Sequence, residues 1–318
     1  MKTMAAACLF AGISIAQQTP DAAPAPRAVL VTGASSGIGR KTTELLAKSG
    51  FFVYAGARKQ QDLDALNALD NVQAIRLDVT VPAEIEAAVA TVRGAGRGLY
   101  GLVNNAGVAV VGPLIELREQ DLAFQLDVNL YGPYRVTKAF APLLIESKGR
   151  VATTGSLSGT VSWAMGGAYC MSKHGVEAFT DVLAAELQPF GVQVSVIEPG
   201  NYKTEIMSSM RERLLASGYT TAGSRYQGRM DQLLGAPQDR SQYPEPDEVA
   251  AAFVRALTEP QPRRRYLVVP NRREAELTIR AAITRVVQLN EAQAFAFDRQ
   301  QLIDMLDDTL NKARAAAK

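Results

Sequence analysis

The sequence predicts an α/β fold, a doubly wound parallel sheet of about seven strands with helices on both faces and a C-terminal helical extension. Three observations carry this prediction. Short apolar runs alternate with helical patterns through residues 28–200, which is typical of strands joined by right-handed crossovers. A glycine-rich turn joins the first run to the first helix. Several later runs end in polar or glycine-rich segments, which places these segments at one edge of the sheet.

The composition fits one large globular domain, or one domain with an appendage, and disfavours several functions. The chain has 318 residues, 47% of them hydrophobic, and a formal net charge of +2, which is too weak to indicate a nucleic-acid partner. It has one histidine, His174, and two cysteines, Cys8 and Cys170. We therefore expect neither a metal site nor a disulfide framework.

Residues 1–27 differ in character from the rest. Lys2 precedes an apolar run, and Ser14-Ile15-Ala16 fits a small-x-small cleavage site, so that residues 1–16 resemble a secretory signal followed by a Pro/Ala-rich linker. The alternative is a disordered extension or a start codon assigned too early. The run is too short for a transmembrane helix, and we expect none.

A strand, a glycine-rich turn and a helix follow one another at the start of the domain. The apolar run 28–32 leads into a turn of spacing TGxxxGxG, and a helical pattern follows to Lys48. Glycines permit a tight turn, and the free N–H groups of a helix N-terminus bind a pyrophosphate. We expect this turn to bind a dinucleotide through Gly33, Ser35, Ser36, Gly37, Ile38 and Gly39.

The end of the second strand, residues 51–57, indicates which dinucleotide binds. An NAD site usually has an acidic residue there, which binds the ribose 2′-hydroxyl. Here Arg58 and Lys59 follow the strand, and a cation suits a 2′-phosphate. We therefore favour NADP(H) over NAD(H), with Arg58 on the phosphate. The alternative is a solvated basic loop.

The third strand, residues 72–77, follows a short helix predicted at 63–69 and ends in Asp78 and Val79. An Asp at this edge can accept a hydrogen bond from the adenine amino group. The alternative is that Asp78 caps the next helix, predicted at 82–92.

The fourth strand, residues 100–103, leads into a segment whose small residues allow backbone to pack against a flat ligand, at Asn105, Ala106 and Gly107. A long helix is predicted at 120–144. Asn129 lies in its middle, where asparagine is unfavourable, so that a function would explain it; a solvated or packed asparagine is the alternative.

The fifth strand, residues 149–154, delivers Ser156 to the same edge. A helix beginning after Ala168 carries Tyr169 and Lys173 on one face, because the two residues are one turn apart. An ammonium beside a phenol lowers the phenol pKa, and such a phenol can pass a proton near neutral pH. In isolation this pair is common on surface helices.

The sixth strand, residues 191–197, ends in a turn that contributes Pro199, Gly200 and Thr204. A helix at 246–258 and a strand at 266–269 complete the domain. Two further helices, predicted at 274–289 and 298–315, form an extension over residues 271–318, with Asp298 as the N-cap of the second.

Together these motifs resemble the non-extended branch of the short-chain dehydrogenase/reductase family. The motifs stand in register over residues 28–270: TGASSGIG at 32–39, Asp78-Val79, NNAG at 104–107, Asn129, Ser156, YCMSK at 169–173 and PGNYKT at 199–204. The segments VYAGARK and IEPGNYKTEI are most similar to retinol and hydroxysteroid dehydrogenases. The resemblance implies a Rossmann-type domain that binds NAD(P) and transfers a hydride.

The resemblance also implies the roles of four catalytic residues. Tyr169 acts as the acid in carbonyl reduction and as the base in alcohol oxidation, and Lys173 lowers its pKa and holds the nicotinamide ribose. Ser156 binds the substrate oxygen. Asn129 holds a water that links Lys173 to solvent. Relatives pair through the helices that bear Asn129 and Tyr169, which implies a homodimer or homotetramer.

The segment 205–235 corresponds to the variable lid of the family, and it is rich in methionine and other apolar residues. An adaptable apolar wall and a small lipophilic carbonyl or alcohol substrate follow. The alternative is simple packing of an amphipathic helix. The expected substrate residues are Trp163, Met165, Met207 and Met210.

Two other functions remain open: an NAD-linked alcohol dehydrogenase of the same fold, and a nonenzymatic NADP(H)-binding redox sensor. An intact acid at Tyr169 speaks against the sensor, which has no need of it. The supply of cofactor favours the cytoplasm, whereas a genuine signal at residues 1–16 would indicate export.

Overall fold

The computed structural model describes residues 26–236 and 240–316, and the signal-like segment lies outside them. Seven parallel strands form one sheet in the order β3-β2-β1-β4-β5-β6-β7, which confirms the predicted fold class. The strands are β1 (Ala28–Val31), β2 (Phe52–Ala57), β3 (Val72–Arg76), β4 (Gly101–Asn104), β5 (Arg150–Thr154), β6 (Gln193–Pro199) and β7 (Arg265–Val268).

Helices cover both faces of this sheet. They are α1 (Gly37–Lys48), α2 (Gln60–Asn67), α3 (Pro82–Gly94), α4 (Glu119–Leu126), α5 (Gly132–Glu146), α6 (Gly167–Leu187), α7 (Ile206–Ala216), α8 (Gln227–Gly235), α9 (Asp247–Thr258), α10 (Arg272–Asn290) and α11 (Arg299–Ala316).

The strands are apolar throughout because both of their faces are buried. Along β1, Val29 and Val31 point to the layer formed with α1, α2 and α9. Ala28 and Leu30 point to the opposite layer, formed with α3, α5 and α6. The strand order reverses between β1 and β4, so that the crevice beyond their carboxyl ends is the expected ligand position.

The long helix predicted at 120–144 is interrupted. A five-residue π-helical turn, Asp127–Tyr131, separates α4 from α5 and contains Asn129. Pro133 follows in the first turn of α5 and has no N–H, so that the carbonyl of Asn129 cannot accept the usual α-helical bond from residue 133. The sequence pattern did not predict this change of helix type.

The C-terminal extension consists of α10 and α11. The predicted cap at Asp298 is present: its Oδ1 accepts a hydrogen bond from Gln301 N, and Gln301 Oε1 accepts one from Asp298 N, each at 2.9 Å. The helices expose many apolar side chains. In the described part of the chain, none of the helices combines the length and the apolar character needed to cross a membrane.

Candidate functional site

The glycine-rich turn between β1 and α1 lies against the segment after β4. Gly33 and Gly37 have φ angles of 63° and 52°, which favour glycine. A Cβ on Gly33 would stand 2.8 Å from Ala106 Cα, and a Cβ on Gly39 would overlap the carbonyl of Gly33. The predicted turn residues therefore need glycine for both conformation and space.

Asn105 joins this turn to β4. Its Nδ2 donates to the carbonyl oxygens of Thr32 and Gly33, at 3.1 and 3.0 Å. In return, the Thr32 hydroxyl accepts from the backbone N–H groups of Asn105 and Ala106. These bonds keep the floor of the crevice rigid.

The N-terminus of α1 fits a dinucleotide phosphate. Ser36 is the N-cap but makes no side-chain capping bond, and the first turn of α1 contains no acidic residue. The positive end of the helix dipole is thus uncompensated by the chain's own side chains. A Cβ on Gly37 would stand 3.4 Å from the Thr204 side chain, so that the sixth strand's turn forms the opposite wall.

Arg58 and Asp78, which the sequence assigned separately, lie together. Arg58 Nη1 is 3.6 Å from Asp78 Oδ2, and Asp78 Oδ1 accepts from Thr80 N and Oγ1. Partial burial alone would raise the pKa of Asp78, but the Thr80 hydrogen bonds and the Arg58 charge together lower it below its ordinary value. The N-cap of α3 is Val81, so Asp78 is not its cap.

Val79, the other predicted residue at the end of β3, is 5% exposed. A Cβ on Gly132 would stand 3.1 Å from Val79 Cβ. Val79 therefore packs under the π-helical turn, which connects the expected adenine side of the crevice with Asn129.

Ser156, Tyr169 and Lys173 are brought together by β5 and α6. Ser156 Oγ accepts from Ser158 N at 3.0 Å, and the Ser156 hydroxyl lies close enough to Tyr169 to lower the pKa of the phenol. Lys173 is 6% exposed; its Nζ donates to Thr154 O at 2.7 Å and lies 5.7 Å from the Tyr169 ring centroid. The constellation lies at the carboxyl end of β5, as predicted.

The predicted direction of the Tyr169 pKa shift is wrong. Burial raises the pKa of Tyr169, and the Ser156 hydroxyl and the charge of Arg240 only partly oppose this effect. Burial likewise lowers the pKa of Lys173 to about 8, against the charge of Glu177. Both shifts have one cause: a desolvated site disfavours the charged form of each group.

Asn129 lies next to this constellation, and it is only 2% exposed. Its Nδ2 donates to Val108 O at 3.0 Å and to Ser172 Oγ at 3.2 Å, and its Oδ1 accepts from Val108 N at 2.8 Å. The side-chain amide thus fastens the segment after Gly107 to α6. Because the side-chain amide of Asn129 is already engaged, a water that links Lys173 to solvent would bind main-chain groups of the π-helical turn.

The turn after β6 has two partners that the sequence did not indicate. Asn201 N donates to Glu274 Oε2 at 2.8 Å, which ties the turn beside Gly200 to the start of α10. Arg240 donates to Tyr202 O at 3.0 Å and to Asn201 Oδ1 at 3.1 Å, and its charge acts on Tyr169. Neither residue belongs to a recognisable motif, and both are distant along the chain.

The expected substrate residues differ in their accessibility. Met165 and Met207 are partly buried and pack, with Tyr169, against a small apolar cluster that includes residues of the lid helix α7. Met210 is 2% exposed within that cluster. Trp163 is 38% exposed, and its Nε1 donates to Ser158 Oγ at 3.2 Å. The apolar groups that can meet a ligand thus lie around Tyr169.

Comparison with known proteins shows which family the domain resembles. A family model described as short chain dehydrogenase matches residues 27–215. Rat mitochondrial D-beta-hydroxybutyrate dehydrogenase is 39% identical over 60% of this chain, and rat retinol dehydrogenase 7 is 42% identical over 58%. The matched segments span only 58% and 59% of those relatives' own lengths.

Two solved structures share the fold over most of the chain. A short chain dehydrogenase/reductase from Burkholderia phymatum in complex with NAD has a TM-score of 0.72 at 26% identity, with coverage of 86% of this chain and 98% of that one. An actinorhodin polyketide ketoreductase variant with NADPH has a TM-score of 0.64 at 30% identity, with coverage of 76% and 95%.

Proposed function

Because the chain belongs to the short-chain dehydrogenase family, we propose that it is an NADP(H)-dependent oxidoreductase that interconverts a secondary alcohol and a carbonyl. The observation that carries the proposal is the group formed by Ser156, Tyr169 and buried Lys173 at the carboxyl edge of the sheet. The glycine turn lies at the same edge, so that one crevice can hold both cofactor and substrate.

The cofactor would be held by the chain's own groups along this crevice. The residues proposed to hold it are Gly33, Ser35, Ser36, Gly37, Ile38, Gly39, Arg58, Asp78, Val79, Asn105, Ala106, Gly107, Tyr169, Lys173, Pro199, Gly200 and Thr204. When bound, the nicotinamide supplies or accepts the hydride. The uncompensated N-terminus of α1 suits its phosphates, and Arg58 suits a 2′-phosphate, which supports NADP(H).

The proton is moved by Tyr169. In carbonyl reduction its hydroxyl donates a proton to the substrate oxygen, while the Ser156 hydroxyl stabilises the developing negative charge. The Lys173 ammonium, 5.7 Å from the ring, favours the phenolate that forms. Because burial raises the pKa of Tyr169, the phenol is protonated at neutral pH and is ready to act as an acid.

The proposed substrate is a small lipophilic ketone or secondary alcohol. The apolar cluster that includes residues of α7 contacts Tyr169, and Met165 and Met207 are partly buried against it. Burial of an apolar substrate there would exclude water from the reacting groups.

The proposed assembly is a homodimer or homotetramer. The π-helical turn, α5 and α6 expose large apolar side chains that a partner copy would cover, including Tyr131, Tyr134, Met171 and Val182.

Turnover of a carbonyl panel tests the function. Retinal, steroid ketones and short keto acids are offered with NADPH or NADH, and cofactor oxidation is compared for the wild type and Tyr169→Phe. We expect NADPH-dependent reduction of a lipophilic carbonyl that the variant loses. Equal turnover by both proteins would contradict the mechanism, whereas tight NADPH binding without turnover would favour a redox sensor.

A second candidate substrate is a hydroxy acid, and Arg240 is the observation that favours it. Its guanidinium is fixed by the turn after β6 and its charge reaches Tyr169, so that it can pair with a carboxylate beside the reacting carbon. One relative named above is a hydroxybutyrate dehydrogenase. Arg240→Met should then raise KM for hydroxy acids at least tenfold and leave KM for neutral alcohols unchanged; an equal change for both would exclude this role.

A further inference from the structure

Two buried carboxyl groups lie together, and one of them is a helical turn away from Lys173. Glu177 follows Lys173 by one turn on α6, and its side chain is 14% exposed. Glu198 is the penultimate residue of β6, and its side chain is 7% exposed. Carboxylates this buried are rare unless other groups satisfy them.

The two carboxyl groups are neighbours, because Arg265 Nε lies within 4 Å of an oxygen of each. One oxygen of each, Oε1, is buried and receives no hydrogen bond from a donor among the described residues. Two ionised carboxylates cannot satisfy each other, because both are acceptors only, and each would keep a costly unsatisfied oxygen. One proton held between them satisfies both oxygens.

An arginine and a third acid, Arg265 and Asp181, lie beside the pair. Arg265, from β7, places Nε 3.0 Å from Glu177 Oε2 and 3.5 Å from Glu198 Oε1. Asp181 on α6 accepts from Arg265 Nη2 at 2.7 Å through its Oδ2, and its Oδ1 lies 3.8 Å from Arg264 Nη1. Two carboxylates this close repel each other, which favours a proton on one of them. Burial and the charge of Glu177 raise the pKa of Glu198 to about 7, in the same sense.

The pair is linked to both catalytic segments. The negative charge of Glu177 acts on Lys173 and opposes the burial that lowers the Lys173 pKa. Glu177 also packs beneath the Ser156 segment: a Cβ on Gly155 would stand 3.0 Å from Glu177 Oε1, and one on Gly159 would stand 2.9 Å from Glu177 Cγ. Glu177 thus supports the positions of Ser156 and Lys173 at once.

We propose that Glu177 and Glu198 share one proton and that the remaining negative charge, held mainly on Glu177, keeps Lys173 cationic beside Tyr169. Glu177 is then a positioning residue, and the consequence for catalysis rests on the proposed function. With the charge on Glu177, Lys173 stays an ammonium through neutral pH. With the charge moved away, Lys173 becomes neutral at a lower pH.

Two isosteric variants separate the roles of the pair. In Glu198→Gln, the amide donates to Glu177 in place of the shared proton, and the charge stays next to Lys173. In Glu177→Gln, the charge moves to Glu198. With lysine labelled with 13C at Cε, and the Lys173 signal assigned by its loss in Lys173→Arg, we expect Glu177→Gln to lower the Lys173 titration midpoint by about one pH unit. Glu198→Gln should leave the midpoint in place.

Infrared spectroscopy tests the shared proton without turnover. At about pH 6 the wild type should show the carbonyl stretch of a protonated, buried carboxyl, which either glutamine variant removes and the control Asp181→Asn retains. This arm remains decisive even if Glu177→Gln does not fold. A wild type without the band, or a Lys173 midpoint that is unchanged in Glu177→Gln or shifts equally in both variants, would overturn the proposal.

The pH profile of kcat tests whether the charge on Glu177 affects catalysis. The high-pH limb, where Lys173 loses its proton, should move to lower pH in Glu177→Gln alone. A limb that stays in place would overturn the catalytic part of the inference. The chain could show the infrared band and the shift of the Lys173 midpoint and yet turn over no carbonyl. That result would support the shared proton and refute only the proposed function.

Discussion

Arg58 Nη1 lies 3.6 Å from Asp78 Oδ2, so that the residue expected at the 2′-phosphate and the residue expected at adenine are one ion pair. Arg58 remains 64% exposed on its side chain, whereas Asp78 is 25% exposed. The carboxylate thus holds the guanidinium at the crevice while most of the guanidinium still faces solvent. An exposed ion pair contributes little to the stability of the fold. We therefore expect the pair to matter for binding of the dinucleotide.

Arg58→Ala should raise the Kd for NADPH about tenfold and leave the Kd for NADH nearly unchanged, because only NADPH carries the 2′-phosphate. Fluorescence titration with both dinucleotides measures this. Arg97→Ala is the matched control, since Arg97 stacks on Phe52 and belongs to no predicted cofactor contact. Equal loss for both cofactors would contradict the assignment of Arg58.

Ser156→Ala should lower kcat about 10²-fold or more, because the variant removes a hydrogen bond to the developing oxyanion. Dinucleotide affinity should not change. Ser158→Ala is the control, because its hydroxyl accepts a hydrogen bond from Trp163 Nε1 at the same turn and is not part of the proposed catalytic group. If both variants lose activity equally, the effect belongs to the turn rather than to the Ser156 hydroxyl.

Lys173 should make stability depend on pH. Its pKa of about 8 in the folded chain lies below the ordinary value of 10.5, so that between these values the unfolded chain binds the extra proton and folding becomes more favourable as pH rises. Relative to Lys173→Met, the free energy of unfolding of the wild type should increase by about 2 kcal/mol between about pH 7.5 and about pH 9.5.

Urea unfolding of both proteins at the two pH values measures this difference. Subtraction of the variant removes the contribution of the other titrating groups. A difference that stays constant, or that falls with rising pH, would show that Lys173 is not held by a desolvated site.

Gly39→Ala should destabilise the chain by about 2 kcal/mol or more and weaken dinucleotide binding, since the new methyl group overlaps the carbonyl of Gly33. Gly94→Ala at the end of α3 is the control, because a Cβ there meets no atom within 4 Å. Thermal unfolding should separate the two variants clearly. An unchanged Gly39→Ala protein would refute the close approach at the turn.

The sequence was most informative where periodicity and local motifs decide the structure. Strands buried on both faces are continuous apolar runs, which predicts the sheet. The spacing TGxxxGxG is typical of a tight strand-to-helix turn, so that the glycine turn could also be predicted. The π-helical turn at Asn129 could not, because an apolar pattern of this length fits an α-helix as well. Only Pro133 gave a local signal of an interrupted bond.

Long-range features of the site lay beyond sequence reasoning for a physical reason. Arg240 and Glu274 reach the turn after β6 from segments whose path through space depends on tertiary packing. The pKa of Tyr169 was predicted from its neighbour Lys173, whereas burial of both groups decides its direction. Desolvation is a property of the folded environment, and spacing along a helix does not report it.

The bond between Glu274 and Asn201 changes how the last part of the chain should be regarded. Glu274 Oε2 would also meet any side-chain carbon added to Gly200, so α10 begins against the turn proposed to face the nicotinamide. A chain shortened after Pro270 would keep every strand and lose this acceptor. A ligand or partner that displaces the start of α10 would therefore also displace the turn proposed to face the nicotinamide. The C-terminal extension can in this way influence the proposed hydride transfer.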